Sequence, residues 1–294
     1  MRRQWCLRAL FVLLASVSLV TAACGDDGDG LRTDGDATGD GGTSEDRTGD
    51  GTRGGGGGVT ADVAIQVSFD GGFVPIDVAL SSIPIVTVLR DGTVLTPAPV
   101  PAIYPGPAIS PVQRTTITPD EVDALLARAD QLGLLDGPLD FGLPAVTDLP
   151  TTVVTLAGPD GTVRHEAYAL EPDGHDEGIS ETAAENRRAL RELVRALQSL
   201  PPGDELWTPS QVAVTVIGPY TPDTDIGPQT EIDWPLDNPL QTSGDYPCTV
   251  VDGADVDTLL AALSNANQRT PWVVDGARYS LTFRPVLPGT TGCA

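Results

Sequence analysis

Few residues in this chain have the types and spacing for chemistry. The most suggestive run is Asp34, Asp36, Thr38, Asp40 and Glu45, which fall at positions 1, 3, 5, 7 and 12 of an EF-hand-like loop, with Gly39 at position 6. Such spacing wraps oxygen donors around calcium, the last carboxylate closing the shell with both its oxygens. Against it, Gly41 stands at position 8, where an aliphatic residue belongs, and no helical pattern flanks the loop. A glycine–aspartate linker generates the same spacing by composition. Asp34, Asp36, Asp40 and Glu45 are therefore weak candidates, and no metal site is assigned.

Two histidines are present, His165 in a strand-like segment and His175 in the polar stretch "EPDGHDEG". With Glu171, Asp173, Asp176 or Glu177 they would make an imidazole–carboxylate metal set. Neither His-x-His nor i,i+4 spacing supports this, and the simpler reading is an exposed acidic turn. Every basic residue is arginine. Without lysine there is no Walker-type phosphate lysine, Schiff-base amine or Ser-Lys dyad. No Gly-x-Ser-x-Gly elbow and no His-Glu-x-x-His helix occurs either, so catalytic residues are assigned to none and no cofactor is expected. A net charge of −24 argues against nucleic acid and anionic surfaces as partners.

The remaining chemistry lies in four cysteines. The start "MRRQWCLR" is basic, "ALFVLLASVSLV" is an apolar run of signal-peptide length, and "TAA" precedes Cys24. This resembles a bacterial lipoprotein signal, in which cleavage falls before a cysteine preceded by small residues. The usual leucine three positions before that cysteine is here Thr21, with Leu19 and Val20 just upstream. The resemblance implies that residues 1–23 are removed, that the Cys24 thiol takes a diacylglyceryl group, and that the protein sits on the outer face of the cytoplasmic membrane. Two or three acyl chains hold a protein there where one does not. With Cys6 discarded and Cys24 lipidated, Cys248 and Cys293 remain as an even pair in an oxidising compartment, expected to form a disulfide.

Several segments must position whatever function there is. Residues 24–60 are nearly all glycine, aspartate and threonine, cannot repay the entropy of ordering, and read as a disordered acidic tether. Such a coil reaches about 30–35 Å. Residues 61–203 read as a first domain. It has strands at 63–69 and in a hairpin over 83–97 turning at Asp91-Gly92, then an irregular proline-rich stretch to 111. A helix follows from Thr118, with Glu121 completing a capping box and Val122, Leu125, Leu126, Ala129 and Leu132 on its inner face. A hairpin over 151–170 and a helix over 180–200 complete the domain, the helix with an outward face of glutamates and arginines. Residues 204–294 read as a second domain: strands at 210–220 and 248–251, a helix near 253–266 and a hairpin over 272–287. "EVDALLARA" and "DVDTLLAAL" open corresponding helices, which raises internal duplication as a possibility. The expected class is α+β, two small antiparallel sheets each covered by helices.

"LRDGTV", "TPDEVDALLARADQLGLL" and "VTDLPTTVVTLAGPDGTV" also make residues 83–165 similar to an uncharacterised family of bacterial extracytoplasmic domains, which implies a location and no activity. The segment 219–248 carries Tyr220, Trp234 and Tyr246 on a long loop, a candidate recognition surface or else the cover of a small core. Arg284, in the last strand, is expected to sit in a structural ion pair. The functional expectation is a non-enzymatic lipoprotein that binds an envelope protein or wall component. Its alternatives are a small-solute or cation-binding lipoprotein and an Asp/Glu-dependent hydrolase.

Overall fold

A computed structural model describes residues 63–171 and 173–293. Cys24 and the calcium-like run Asp34–Glu45 lie outside the described residues, as do the expected signal and the whole of the expected tether. No helix among the described residues is long and apolar enough to cross a membrane. The fold is α+β. In chain order the elements are β1 (Val63–Asp70), α1 (Ile76–Ser81), β2 (Val86–Leu89), β3 (Thr93–Pro97), β4 (Val112–Thr116), α2 (Pro119–Gln131), β5 (Thr151–Gly158) and β6 (Gly161–Tyr168). They continue with α3 (Glu181–Gln198), β7 (Glu205–Trp207), β8 (Gln211–Pro219), β9 (Ile232–Asp233), β10 (Cys248–Asp252), α4 (Asp255–Leu263), β11 (Trp272–Val274) and β12 (Ala277–Pro285).

A seven-stranded antiparallel sheet has the order β6-β5-β1-β2-β3-β4-β7. The amphipathic helices α2 and α3 cover one of its faces. Ile65, Val67, Val88, Val154 and Leu156 from the sheet meet Val122 and Ala129 from α2 and Leu190, Leu193, Val194 and Leu197 from α3. The start of α2 forms as its sequence dictates. The Thr118 hydroxyl accepts from the Glu121 N–H (3.2 Å), and the Glu121 carboxylate accepts from the Thr118 N–H (2.7 Å), pulling that carboxyl below its ordinary pKa. At the far end Gly133 adopts φ 72° and donates to the Asp130 carbonyl (2.8 Å), a left-handed stop that a Cβ would strain.

The second sheet has five strands in the order β10-β8-β12-β11-β9. It is not wholly antiparallel, since β9 runs parallel to β11, pairing Ile232 with Trp272 and Asp233 with Val273. A two-residue strand brought back by a long loop can approach the edge in either sense, and the 220–231 loop returns it in the parallel one. The core here is Val212, Val214, Val216, Leu259, Trp272 and Phe283, with Leu259 from α4. The sheets are also wired differently. The hairpin after α2 joins its sheet through its first strand, β5 beside β1, whereas the hairpin after α4 joins through its second, β12 beside β8. Similar helices thus introduce unlike topologies, which counts against an internal repeat.

Residues from the first half help to build the second. Helix α1, which joins β1 to β2, packs on β12 and β8, and the Thr282 hydroxyl donates to the Asp77 carbonyl (3.3 Å). The proline-rich stretch is irregular as expected but not idle: Ala108 is buried in the second core, Pro107 bridges to Asn267 and Ile109 to Phe283. In the other direction β7 lies beyond residue 203 yet pairs with β4, and Leu287 is buried against Leu95 and Val112. Gln66, buried in β1, donates to the Pro288 carbonyl (2.9 Å). All described residues belong to one compact unit.

Candidate functional site

The structure places Cys248 and Cys293 in a disulfide that closes a separation of 45 residues. In the chain-entropy description a loop of that size is worth about 4 kcal/mol. It ties the last residues to the start of β10.

Tyr220, Trp234 and Tyr246 are not brought together. Trp234 follows β9 at one edge of the five-stranded sheet, and Tyr246 precedes β10 at the opposite edge. Trp234 is half-buried, packs edge-to-face on Trp272 with centroids 6.3 Å apart, and donates its indole N–H to the Asn238 carbonyl (3.1 Å). It covers the second core. Tyr220 is half-buried, its N–H bonded to the Arg278 carbonyl (2.9 Å), and Tyr246 is exposed.

His165 is buried in the first core. Its Nε2–H donates to the Leu134 carbonyl (2.7 Å) and its ring meets Phe141 edge-on, while Nδ1 has no partner among the described residues. Asp173 and Asp176 are engaged by arginine rather than by histidine. Among the described residues, no group of three or more His, Cys, Asp or Glu side chains is placed to hold a metal.

Arginines 187, 191 and 195 recur every fourth residue of α3 and so lie on one face. Arg195 is exposed, as the glutamate–arginine pattern leads one to expect, but Arg187 and Arg191 turn inward instead. Arg187 is fully buried, giving Nε–H to Asp176 (2.6 Å), Nη1–H to the Tyr168 carbonyl (2.9 Å) and Nη2–H to the Ala169 carbonyl (2.5 Å). Arg191, also buried, bonds the Leu170 carbonyl and both Asp173 and Asp176. Arg195 pairs with Asp173. The Arg191 hydrogen bond, with Arg187 beside it, holds the Asp176 carboxyl below its usual pKa. This cluster holds residues 168–170, 173 and 176 to α3, and Ala169 takes a left-handed φ of 50°. Arg187 spends all three of its nitrogens on Asp176 and on backbone carbonyls, which makes its role structural.

Two features remain open to a ligand or partner, and neither was evident as a motif. The first is an apolar ridge on α1 and the residues before it. No residue of α1 is buried; Phe73 is 89% exposed, and Val74, Ile76 and Val78 are exposed beside it. Tyr104, 56% exposed, lines a small hollow of about 180 Å³ together with Val78, which joins the proline-rich stretch to the ridge. The second is a cavity of about 330 Å³ between the two sheets, open to solvent. Phe69, Leu80, Ile83 and Pro84 supply apolar wall, Ser82 and Thr215 hydroxyls, and Arg284 a cation. Asp70 and Arg164 also line it, the latter paired with Glu166 (2.9 Å).

Arg284 departs from its expected role. No carboxylate among the described residues forms an ion pair with it; its Nη2 donates instead to the carbonyls of Thr291 (3.0 Å) and Gly292 (2.6 Å). Burial pushes its pKa below that of an ordinary arginine. A sequence-only reading misses this because an arginine in a strand shows its charge and not its partner.

Comparison with protein-family models, with curated proteins and with solved structures finds no match for this chain.

Proposed function

We propose that this chain is a lipid-anchored protein of the outer face of the cytoplasmic membrane whose folded body docks a protein partner of the cell envelope. In this reading residues 1–23 are the signal, Cys24 carries the lipid, and residues 24–60 form an acidic tether. Two α+β halves, 61–203 and 204–294, share one body.

One observation carries the docking role: the ridge of Phe73, Val74, Ile76 and Val78 stays exposed although the fold has two well-filled cores beside it. Contiguous apolar surface on a folded body marks an interaction site. A protein partner fits it better than lipid for two reasons. The chain carries a net charge of −24 and Asp70 stands exposed next to the ridge, so an anionic leaflet repels this end. The tether would enter at the start of β1, and Phe73 lies past its other end, about 25 Å away at the rise of an eight-residue strand.

Photo-crosslinking in intact cells tests this, with the probe at Phe73 or Ile76 and a control at Asp160 in the β5–β6 turn. The expected result is a discrete protein adduct from the ridge positions, lost when Ile76→Ser is added to the Phe73 probe chain, and none from the control. Adducts with lipid alone, or equal adducts from position 160, would refute it. Cys24→Ala tests the anchor separately, and a variant that still fractionates with membranes would overturn the lipid assignment.

A further inference from the structure

We infer that the cavity between the two sheets binds a small organic acid, with its oxyanion on the Arg284 guanidinium and its apolar body against Leu80, Ile83 and Pro84. The site is independent of the α1 ridge as a docking surface. A volume of about 330 Å³ falls in the range of small-molecule sites, and such sites combine apolar wall with few, well-placed polar groups.

The Arg284 guanidinium sets the ligand's charge at its end of the cavity; of the other charged groups in the lining, Arg164 is paired with Glu166, and Asp70 disfavours an anion on its own side. It offers five donors in a rigid fork. Nη2 is committed to the Thr291 and Gly292 carbonyls, while Nε and Nη1 have no protein acceptor among the described residues. An arginine stays protonated in a partly desolvated site, and a desolvated charge without a counter-ion is costly. A carboxylate or phosphate oxyanion accepting from Nε–H or from Nη1–H supplies both a counter-charge and an acceptor.

The site is also held in advance of binding. The two carbonyls that orient Arg284 belong to the residues just before Cys293, and the disulfide fixes these to β10. Gly292 approaches β10 so closely that a Cβ there would lie 2.4 Å from Val250 Cγ2. Preorganisation of this kind lowers the ordering cost of binding. The apolar wall then selects an acid with a hydrocarbon body over a bare inorganic anion.

Calorimetric titration of the full chain in detergent tests the inference with four probes: phenylacetate, phenyl phosphate, phenylacetamide and inorganic phosphate. Phenylacetate, phenyl phosphate or both are expected to bind, and which is tighter distinguishes a carboxylic acid from a phosphate ester. Arg284→Met should weaken binding at least tenfold. Ser82→Trp, at the exposed rim, should obstruct entry while leaving Arg284 in place, which keeps the test decisive if Arg284→Met does not fold. Binding of the neutral amide as tight as that of the acids would overturn the assignment. So would inorganic phosphate matching phenyl phosphate, a folded Arg284→Met chain that binds as wild type, or no heat from any probe.

Discussion

Asp176→Asn isolates the arginine clamp on α3. Asparagine keeps the shape of the side chain and one acceptor oxygen, but removes the charge shared by Arg187 and Arg191, both buried. Stranding a buried ion-pair partner costs about 3–5 kcal/mol. The Asp176 side chain is itself 30% exposed, which screens the pair and places the expected loss at the low end, about 3 kcal/mol. With a urea dependence of about 2–3 kcal/mol per molar, the midpoint of unfolding falls by roughly 1 M. The pH dependence supplies an internal control. Asp176 has a folded pKa below its unfolded one, so its contribution is complete above the ordinary carboxylate range. It fades as pH falls from about 4 through the depressed folded value. Wild type and variant should therefore differ most at pH 7 and converge in acid. A midpoint shift below about 0.2 M at pH 7, or a difference that persists unchanged in acid, would refute the view that this carboxylate neutralises a desolvated cluster.

Two other perturbations test the frame around the candidate sites. Cys248→Ser removes the closure of 45 residues and should cost up to about 4 kcal/mol; a wild-type melt in reductant should match the variant's, and identical melts with and without reductant would refute it. Gly92→Ala should destabilise by several kcal/mol, because Gly92 has φ 89° and a Cβ would lie 2.0 Å from the Ile117 carbonyl oxygen. Chemical denaturation reads that loss, and an unchanged midpoint would show that the turn does not press on the residue before the α2 cap.

Much of the secondary structure was legible because it is coded locally. The capping box of Thr118 and Glu121, the Asp91-Gly92 turn and the apolar spacing of α2 and α3 each depend on residues a few positions apart. The five consecutive buried residues that open β1 follow from its place between β5 and β2, with the helices on one side and Pro288 meeting Gln66 on the other. Short elements escaped. α1 is six residues with no buried face, β7 is three and β9 is two, too short for any periodicity to register.

The sequence by itself determined the α+β class and the principal strands and helices, and it singled out Cys248 and Cys293 as a pair if Cys6 and Cys24 belong to a lipoprotein signal. These follow from local propensity, from apolar period and from counting thiols. Only the tertiary structure decided that Trp234 covers a core rather than faces a partner, that Arg187 and Arg191 turn inward onto carbonyls and Asp176, and that Arg284 meets no carboxylate among the described residues. The physical reason is common to all three. A side chain's charge or ring is a property of the residue, but its burial and its partners are set by how the chain folds back on it: Trp272 lies 38 residues beyond Trp234, Leu170 lies 21 before Arg191, and Gly292 lies 8 beyond Arg284. On a longer scale the α1 crossing and the proline-rich stretch tie the two halves of the chain together, and a cavity is left between their sheets.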